Sequence, residues 1–215
     1  MGNAGEPYWK FRKPKSDSKT IVNPVETDEF DSSKLGMQWQ WQNDYKESYG
    51  QATSMGFFRL FTYALPELGD VSNLWYVPNM LLQKIPADEF TATTKLSFCS
   101  RNSDQYVGLV CMSAEYSSVG LQRTEDGYEL QIRHNPNAMR THLTDEVLTV
   151  DTLKPTQKGT PRKGRPAEMH IKDVYLRMSI KDSKVNYAYS IDGKKWKKAG
   201  GEYAMGKGRW IGSKI

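Results

Sequence analysis

The chain has 215 residues, of which 38% are hydrophobic, 26% charged and 12% aromatic. This length fits one large all-β domain or two small ones, and the aromatic content excludes a disordered chain or a coiled coil. The net charge is +5, but the excess lies in residues 154–166 and 192–198. These stretches are typical of a solvated loop and a solvated turn, so nucleic-acid binding through them is the least favoured function.

Residues 1–27 contain three prolines and no sustained apolar periodicity, which predicts a linker or arm packed along a surface. The chain has no apolar run long enough to cross a bilayer. Its first residues also lack the apolar core of a signal peptide. We therefore expect no interaction with a membrane through a spanning segment.

Short strand-like runs follow from Asp28 onwards and are separated by turn signals at 125–127, 181–184 and 191–193. The first strand and its turn are predicted within "DEFDSSKLG". The other runs are "MQWQWQ", "GFFRLFTYA", "NMLLQKI", "EFTATTKLSFCS", "QYVGLVCMSAEY", "SVGLQRT", "YELQIRH", "VYLRMSIKDSKVNYAYSID" and "GRWIGSKI". No run keeps helical spacing over three turns, so the pattern predicts an all-β, two-sheet antiparallel sandwich.

Residues 151–170 interrupt this pattern with three prolines and two glycines, which predicts a long, mobile loop between two strands. The two cysteines, Cys99 and Cys111, lie in predicted neighbouring strands on either side of the turn "RNSDQ". In such a hairpin the two sulphurs lie roughly 20 Å apart, at about 3.3 Å per residue. We therefore predict two free thiols.

Motifs of known enzyme chemistry are not evident in the sequence. The three histidines, His134, His142 and His170, have no metal-ligand or catalytic-triad spacing. The acidic cluster that begins at Asp28 offers carboxylates, yet any acidic turn has this composition, and a glycosidase needs two carboxylates on opposite sides of a sugar. Asp28 is instead a candidate ligand for a structural calcium ion. No other cofactor is expected.

Trp39 and Trp41 stand two residues apart and are interleaved with glutamines, which places both indoles on one side of an extended chain. Aromatic planes stack on the apolar faces of sugars, and amide or guanidinium groups bind sugar hydroxyls. The residues of this type are Gln38, Trp39, Gln40, Trp41, Arg59, Trp75, Tyr76, Gln83, Lys84, Tyr116, Arg177 and Trp210. Core packing explains each single tryptophan better than ligand binding does, and the spacing of Trp39 and Trp41 brings the two explanations towards even. We expect at least one of the two indoles to be buried.

Several long segments carry a resemblance to a known family. They are "DEFDSSKLGMQWQWQ", "NMLLQKIPADEFTATTKLSF", "GLVCMSAEYSSVGL" and "YSIDGKKW…GRWIGSKI". In this order they resemble the C-terminal concanavalin A-like domain of family 43 glycoside hydrolases, enzymes of the β-xylosidase and α-arabinofuranosidase type. This resemblance covers residues 28–215 and implies a concanavalin A-like jelly-roll sandwich. Residues 1–27 resemble the segment that leaves the catalytic propeller and leads into this domain.

The resemblance has consequences for function, because the catalytic carboxylates of this family lie in the propeller. It implies a non-catalytic domain that binds xylan, xylo-oligosaccharide or a related plant polysaccharide. The alternative is a purely structural domain that packs on the propeller and shapes its active-site pocket. The parent enzyme is then expected to be extracellular or periplasmic. The family pattern continues past "WIGSKI" with a further apolar run, and the basic loop is not a family feature.

The residues expected to bind sugar follow from the aromatic and amide pattern. Trp39 and Trp41 would form the stacking platform, and the hydroxyl partners would be Gln38, Arg59, Gln83 and Arg177. The full candidate set is Gln38, Trp39, Trp41, Arg59, Gln83, Lys84, Tyr116, Arg177 and Trp210.

Overall fold

The computed structural model describes residues 12, 14, 15, 17, 20, 25–64, 73–139, 144–208 and 212–215. Most of the expected arm, together with His142 and Trp210, lies outside the described residues. Short elements occupy the first part of the chain. They are β1 (Gln40–Trp41), the 3-10 helix η1 (Glu47–Tyr49), β2 (Gly50–Ala52), β3 (Phe58–Leu60), the 3-10 helix η2 (Leu74–Tyr76) and β4 (Leu81–Leu82).

Longer strands follow from Phe90 onwards. They are β5 (Phe90–Ser100), β6 (Tyr106–Met112), β7 (Tyr116–Arg123), β8 (Tyr128–Asn135), β9 (Glu146–Leu153), β10 (Gln157–Lys158), β11 (Met169–Lys181), β12 (Lys184–Ser190) and β13 (Lys197–Ala204). No helix of the described residues is long and apolar enough to span a membrane.

Two antiparallel sheets form the body of the molecule. The four-stranded sheet has the order β6-β7-β8-β9. In the five-stranded sheet, β11 pairs with β5 along one side and with β12 and β10 along the other, and β13 lies beyond β12. Two small pairs, β1-β4 and β2-β3, complete the described strand pairing.

The core lies between the two sheets, because strand residues of alternate positions point towards each other from both sides. Val119, Leu121 and Leu130 from the four-stranded sheet join Leu176 and Met178 from the five-stranded sheet in one buried cluster. Polar groups also connect the sheets. The buried hydroxyl of Tyr128 on β8 donates a hydrogen bond of 2.7 Å to the carbonyl of Met169 on β11. The predicted two-sheet antiparallel sandwich is therefore confirmed.

Strands were predicted accurately where hydrophobic alternation is strong, and so was the turn between two of them. Along β5, Phe90, Ala92, Thr94, Leu96 and Phe98 face the core while the intervening residues are exposed. The turn at 181–184 is present, and its central residues Asp182 and Ser183 have φ values of 49° and 57°. These left-handed values belong to the tight turn that joins two antiparallel strands.

Several boundary predictions were wrong. No strand lies within residues 28–36, and "MQWQWQ" supplies only the two residues of β1. The strands β9 and β13 were not predicted. Their residues are mostly exposed, so hydrophobic alternation is weak. The expected loop at 151–170 is also shorter, since residues 151–153, 157–158 and 169–170 belong to strands.

The predicted hairpin between the two cysteine-bearing strands was also wrong. β5 pairs with β11, whereas β6 pairs with β7 in the other sheet. The prediction failed because sequence proximity suggested a pairing that the sandwich topology does not use. The two thiols are nevertheless free, as predicted, with Cys99 exposed and Cys111 buried.

Candidate functional site

An aromatic cluster lies beside the sandwich and is built from the first described segment and the small strands. Phe30 stacks on Trp39 with a ring-centroid distance of 5.4 Å, and it also contacts Phe58 at 5.8 Å. Phe58 contacts Trp41 in turn, at 6.1 Å. Trp41 further packs against Tyr49 at 5.7 Å. The two tryptophans of the "WQW" motif therefore belong to one continuous cluster that Phe58 bridges.

Trp39 is held in place by an acidic side chain. The Asp28 carboxylate accepts hydrogen bonds from Trp39 Nε1 at 2.7 Å and from Gln38 Nε2 at 3.3 Å. Its other oxygen accepts a hydrogen bond from the Phe30 backbone N–H at 2.8 Å. Trp39 and Trp41 are both half-buried, so the expectation that one indole is fully buried was wrong. Each ring has one face in the cluster and part of its surface in solvent.

An open cleft of about 580 Å³ lies next to Trp41. Its lining consists of Ser33, Lys34, Leu35, Trp41, Tyr45, Glu47, Gly50, Gln51, Ala52 and Phe58. Trp41 and Tyr45 pack together at one side with ring centroids 5.9 Å apart, and the Tyr45 side chain is 60% exposed. The cleft thus combines accessible aromatic faces with amide, carboxylate and hydroxyl groups.

A close approach of two strands shapes this cleft. β2 pairs with β3 so that Gly50 lies opposite Leu60 and Ala52 opposite Phe58. A Cβ atom on Gly50 would lie 2.5 Å from the Phe58 ring and 2.8 Å from the Arg59 carbonyl. Glycine is therefore required here because no larger residue leaves room for the Phe58 ring.

Gln38, Trp39 and Trp41 are the predicted site residues that the structure brings together at this aromatic cluster. Arg59 lies beside the cleft and is paired with Gln51, which lines it. The Arg59 guanidinium is exposed and lies 5.8 Å from the centre of the Phe57 ring. Its backbone therefore lies next to the cleft, although its side chain does not line it.

Gln83 and Lys84 have a different environment. The Gln83 backbone N–H donates to the Ile215 carbonyl at 2.6 Å, and the Ile215 N–H donates back to Gln83 at 2.9 Å. The Lys84 backbone forms an isolated antiparallel β-bridge with the Lys214 backbone. Their backbones connect β4 to the last described residues, and their side chains do not line the cleft.

Tyr116 cannot contact a ligand, because only 1% of its surface is exposed. Its hydroxyl accepts a hydrogen bond from the Leu74 N–H at 3.0 Å and donates one to Asp145. Burial and the Asp145 carboxylate raise the pKa of Tyr116. Its assignment to the sugar site was wrong: alternation along β7 does not reveal that both faces of this strand are covered.

Arg177 lies on the outer face of the five-stranded sheet, because its neighbours Leu176 and Met178 point into the core. Its guanidinium stacks on the Trp196 ring at 3.5 Å, and its Nε donates to Thr93 at 3.2 Å. The structure therefore does not bring Arg177 to the cleft. The position of Trp210 lies outside the described residues.

Of the ten residues that line the cleft, the sequence analysis predicted Trp41 and missed the other nine. Tyr45, Glu47, Gln51 and Phe58 line it together with Trp41. Tyr45 follows the tryptophan motif closely, so proximity in sequence could have suggested it. Gln51 and Phe58 carry no such signal, because their position depends on the pairing of β2 with β3.

Comparison with known proteins relates most of the chain to a single family. The family model of the β-xylosidase C-terminal concanavalin A-like domain matches residues 27–215. A β-xylosidase of Formosa agariphila is 26% identical over 229 residues, which covers 98% of this chain and 34% of that protein. The chain spans about a third of the length of the curated relatives it matches.

Solved structures share the fold at low sequence identity. BlXynB, a GH43 protein of Bacillus licheniformis, superposes with a TM-score of 0.58 at 20% identity, covering 83% of this chain and 30% of that protein. GH43B of the Bacteroides ovatus xyloglucan PUL gives a TM-score of 0.63 at 16% identity, covering 92% of this chain and 36% of that protein. At these identities the likeness concerns the fold.

Proposed function

Because the chain belongs to the family of β-xylosidase C-terminal concanavalin A-like domains, we propose that it is a non-catalytic, carbohydrate-binding sandwich of a family 43 glycoside hydrolase. The parent enzyme is of the β-xylosidase or α-arabinofuranosidase type, and the ligand is xylan, arabinoxylan or a derived oligosaccharide. The catalytic propeller of the parent enzyme is its protein partner. The match covers residues 27–215, so residues 1–26 are too few to form a catalytic domain within this chain.

The observation that carries this proposal is the open cleft beside Trp41. Trp41 and Tyr45 supply aromatic faces for the apolar side of a pentose ring, and Gln51 and Glu47 supply polar partners for its hydroxyls. Arg59 lies beside the cleft on the strand paired with Gln51. A shallow site of this kind binds weakly, since few stacking contacts must offset the ordering of a flexible, polar ligand.

The composition of the cleft favours binding over hydrolysis. Glycoside hydrolysis ordinarily requires two carboxyl groups flanking the scissile bond. Among the described residues that line the cleft, Glu47 is the single carboxylate. The cleft therefore has the groups needed to hold a sugar and lacks the pair needed to cleave one.

A second function, docking on the catalytic propeller, is favoured by a separate observation. The segment around β3 exposes five large apolar side chains, which are 40–69% accessible. They are Met55, Phe57, Leu60, Phe61 and Tyr63. Exposed apolar side chains concentrated in one segment favour a protein interface. In this alternative the aromatic cluster supports the interface, and the domain shapes the active-site pocket without binding sugar.

Two further expectations remain proposals. The parent enzyme acts outside the cytoplasm, in the extracellular space or periplasm, because a polymeric xylan does not cross a membrane. Asp28 remains the candidate ligand for a structural calcium ion, but both of its oxygens accept hydrogen bonds from Phe30, Gln38 and Trp39. A calcium ion at Asp28 would have to compete with these donors. The proposed function requires no other cofactor.

The experiment is isothermal titration of the chain with xylohexaose, combined with gel retardation on xylan. Trp41→Ala and Tyr45→Ala are each expected to weaken binding about tenfold, because one aromatic contact is worth about 0.5–1.5 kcal/mol beyond its buried area. Trp196→Ala is the matched control. It removes a half-buried indole that stacks with Arg177 and does not line the cleft, and should leave binding unchanged.

The outcomes separate the two functions. No heat with xylohexaose and no retardation on xylan by the wild-type chain would exclude direct sugar binding and favour docking. If Trp196→Ala abolishes binding and Trp41→Ala preserves it, the binding site lies at the surface around Arg177 and not at the cleft. Loss of folding in Trp41→Ala, measured by circular dichroism, would favour a packing role for this indole.

A further inference from the structure

Three side chains with metal-binding atoms meet on the outer face of the five-stranded sheet. Cys99 on β5 pairs directly with His170 on β11, and directly paired residues point to the same face of an antiparallel sheet. Glu168 precedes His170 by two residues and therefore lies on that face as well. Among the described residues, these three form the one group of histidine, cysteine and carboxylate side chains whose donor atoms all lie within 4.8 Å of one another.

The separations of the donor atoms resemble those around a tetrahedral metal ion. Cys99 Sγ lies 3.5 Å from His170 Nε2, and His170 Nε2 lies 3.2 Å from Glu168 Oε1. Around a tetrahedral zinc ion these separations are about 3.5 Å and about 3.4 Å, given the usual Zn–S and Zn–N distances. Cys99 Sγ and Glu168 Oε1 are 2.8 Å apart, so they must separate by about 0.7 Å to admit the ion.

The surroundings hold the carboxylate in a suitable orientation. The Arg101 guanidinium pairs with Glu168 Oε2, which leaves Oε1 directed at Cys99 and His170. The backbone carbonyl of Glu168 accepts a hydrogen bond of 2.7 Å from the Gly159 N–H. An outer partner of this kind orients a metal ligand. Cys99 is exposed, and His170 and Glu168 are partly exposed, so an ion can enter from solvent.

A nucleophilic cysteine is the other chemistry that a Cys-His-Glu group can support, and the geometry disfavours it. In a catalytic triad the acid contacts one ring nitrogen of the histidine and the nucleophile contacts the other. Here Cys99 and Glu168 both approach His170 Nε2.

We propose that Cys99 Sγ, His170 Nε2 and Glu168 Oε1 bind one zinc ion, with water as the fourth ligand. Thiolate, imidazole and carboxylate are the ligands that zinc accepts together, whereas calcium and magnesium prefer oxygen alone. The thiolate and the carboxylate balance the charge of the ion. This site shares no residue with the cleft beside Trp41, so it is independent of the proposed sugar-binding function.

The test uses the full chain without an affinity tag, after removal of metal with a chelator. Titration with zinc is expected to show one ion per chain. Titration with cobalt is expected to give a thiolate-to-cobalt charge-transfer band together with the visible bands of a tetrahedral ion. Cys99→Ser should weaken zinc binding at least about 100-fold and remove the charge-transfer band, because the thiolate is the strongest of the three ligands.

The matched control is His134→Asn. His134 and Glu146 both lie on the four-stranded sheet, with His134 Nδ1 3.0 Å from Glu146 Oε2. They provide a histidine and carboxylate pair without a cysteine. Loss of His134 should therefore leave zinc binding unchanged. The absence of a thiolate-to-cobalt band in the wild-type chain would overturn the proposal, whatever the variants do. Equal zinc affinity in Cys99→Ser and the wild type would overturn it as well.

Discussion

Asp28 Oδ2 accepts a hydrogen bond of 2.7 Å from the indole Nε1 of Trp39, eleven positions later in the chain. This contact joins the start of the described segment to the tryptophan motif and fixes the orientation of the half-buried indole. Phe30 stacks on the same indole and also contacts Phe58, which lines the cleft. The contact between Asp28 and Trp39 is therefore part of the support of the candidate binding site.

Removal of this support should be measurable. Asp28→Ala is expected to lower the free energy of unfolding by about 1–2 kcal/mol, because it leaves the half-buried indole N–H without its acceptor. Urea denaturation followed by tryptophan fluorescence measures this change. Asp31→Ala, at an exposed neighbouring position, is the control and should change the stability by less than about 0.5 kcal/mol. Equal stabilities of the two variants would show that the contact contributes nothing.

Gly50→Ala should disturb the cleft directly. The new Cβ would lie 2.5 Å from the Phe58 ring, and overpacking of this kind costs about 1–3 kcal/mol. Because Phe58 must move, xylohexaose binding should weaken together with the thermal stability. Gly201→Ala is the matched control, since its Cβ would meet open space. A Gly50→Ala chain with wild-type stability and sugar binding would contradict the requirement for glycine.

Asp151 is expected to contribute to stability in a pH-dependent manner. It accepts hydrogen bonds from Tyr189 and Lys197 on the facing sheet, and chiefly the Tyr189 hydroxyl lowers its pKa below the usual 3.8. A pKa that is lower in the folded state means that the carboxylate stabilises the fold above the unfolded pKa. This contribution is lost as the pH falls through the folded pKa.

The measurement is the free energy of unfolding of the wild type and Asp151→Asn from about pH 6 to about pH 2. The stability advantage of the wild type should be present near neutral pH and shrink below about pH 4. Asp126→Asn, in an exposed turn, is the comparison. A wild-type advantage that grows towards acidic pH would contradict the expected sign.

Tyr187 should hold the two sheets together through its hydroxyl group. The buried Oη lies 2.6 Å from the carbonyl and 2.9 Å from the Oγ of Ser117 on the opposite sheet. Tyr187→Phe should cost about 1–2 kcal/mol in guanidinium denaturation, since a buried hydrogen bond is lost without a change of shape. Tyr63→Phe, at a side chain that is 45% exposed, serves as the reference. A cost below about 0.5 kcal/mol, as for a typical surface substitution, would show that the hydroxyl does not stabilise the contact between the sheets.

The accuracy of the sequence-based predictions depends on how strongly one face of each segment is buried. β5 and β11 were predicted because their alternate residues lie against the opposite sheet. β9 and β13 were missed because most of their side chains are exposed, which leaves little hydrophobic alternation. The sequence also could not separate Tyr116 from an exposed tyrosine, since burial of both faces of β7 depends on elements distant in the chain.

The sequence by itself determined the fold class, because period-two alternation and turn residues are local properties. It also indicated Gln38, Trp39 and Trp41 as candidate site residues. Only the tertiary structure decided which of these side chains meet. The pairing of β2 with β3 brings Gln51 and Phe58 to Trp41, and the pairing of β5 with β11 brings Cys99 to His170. Such contacts join residues far apart in the chain, so no local pattern predicts them.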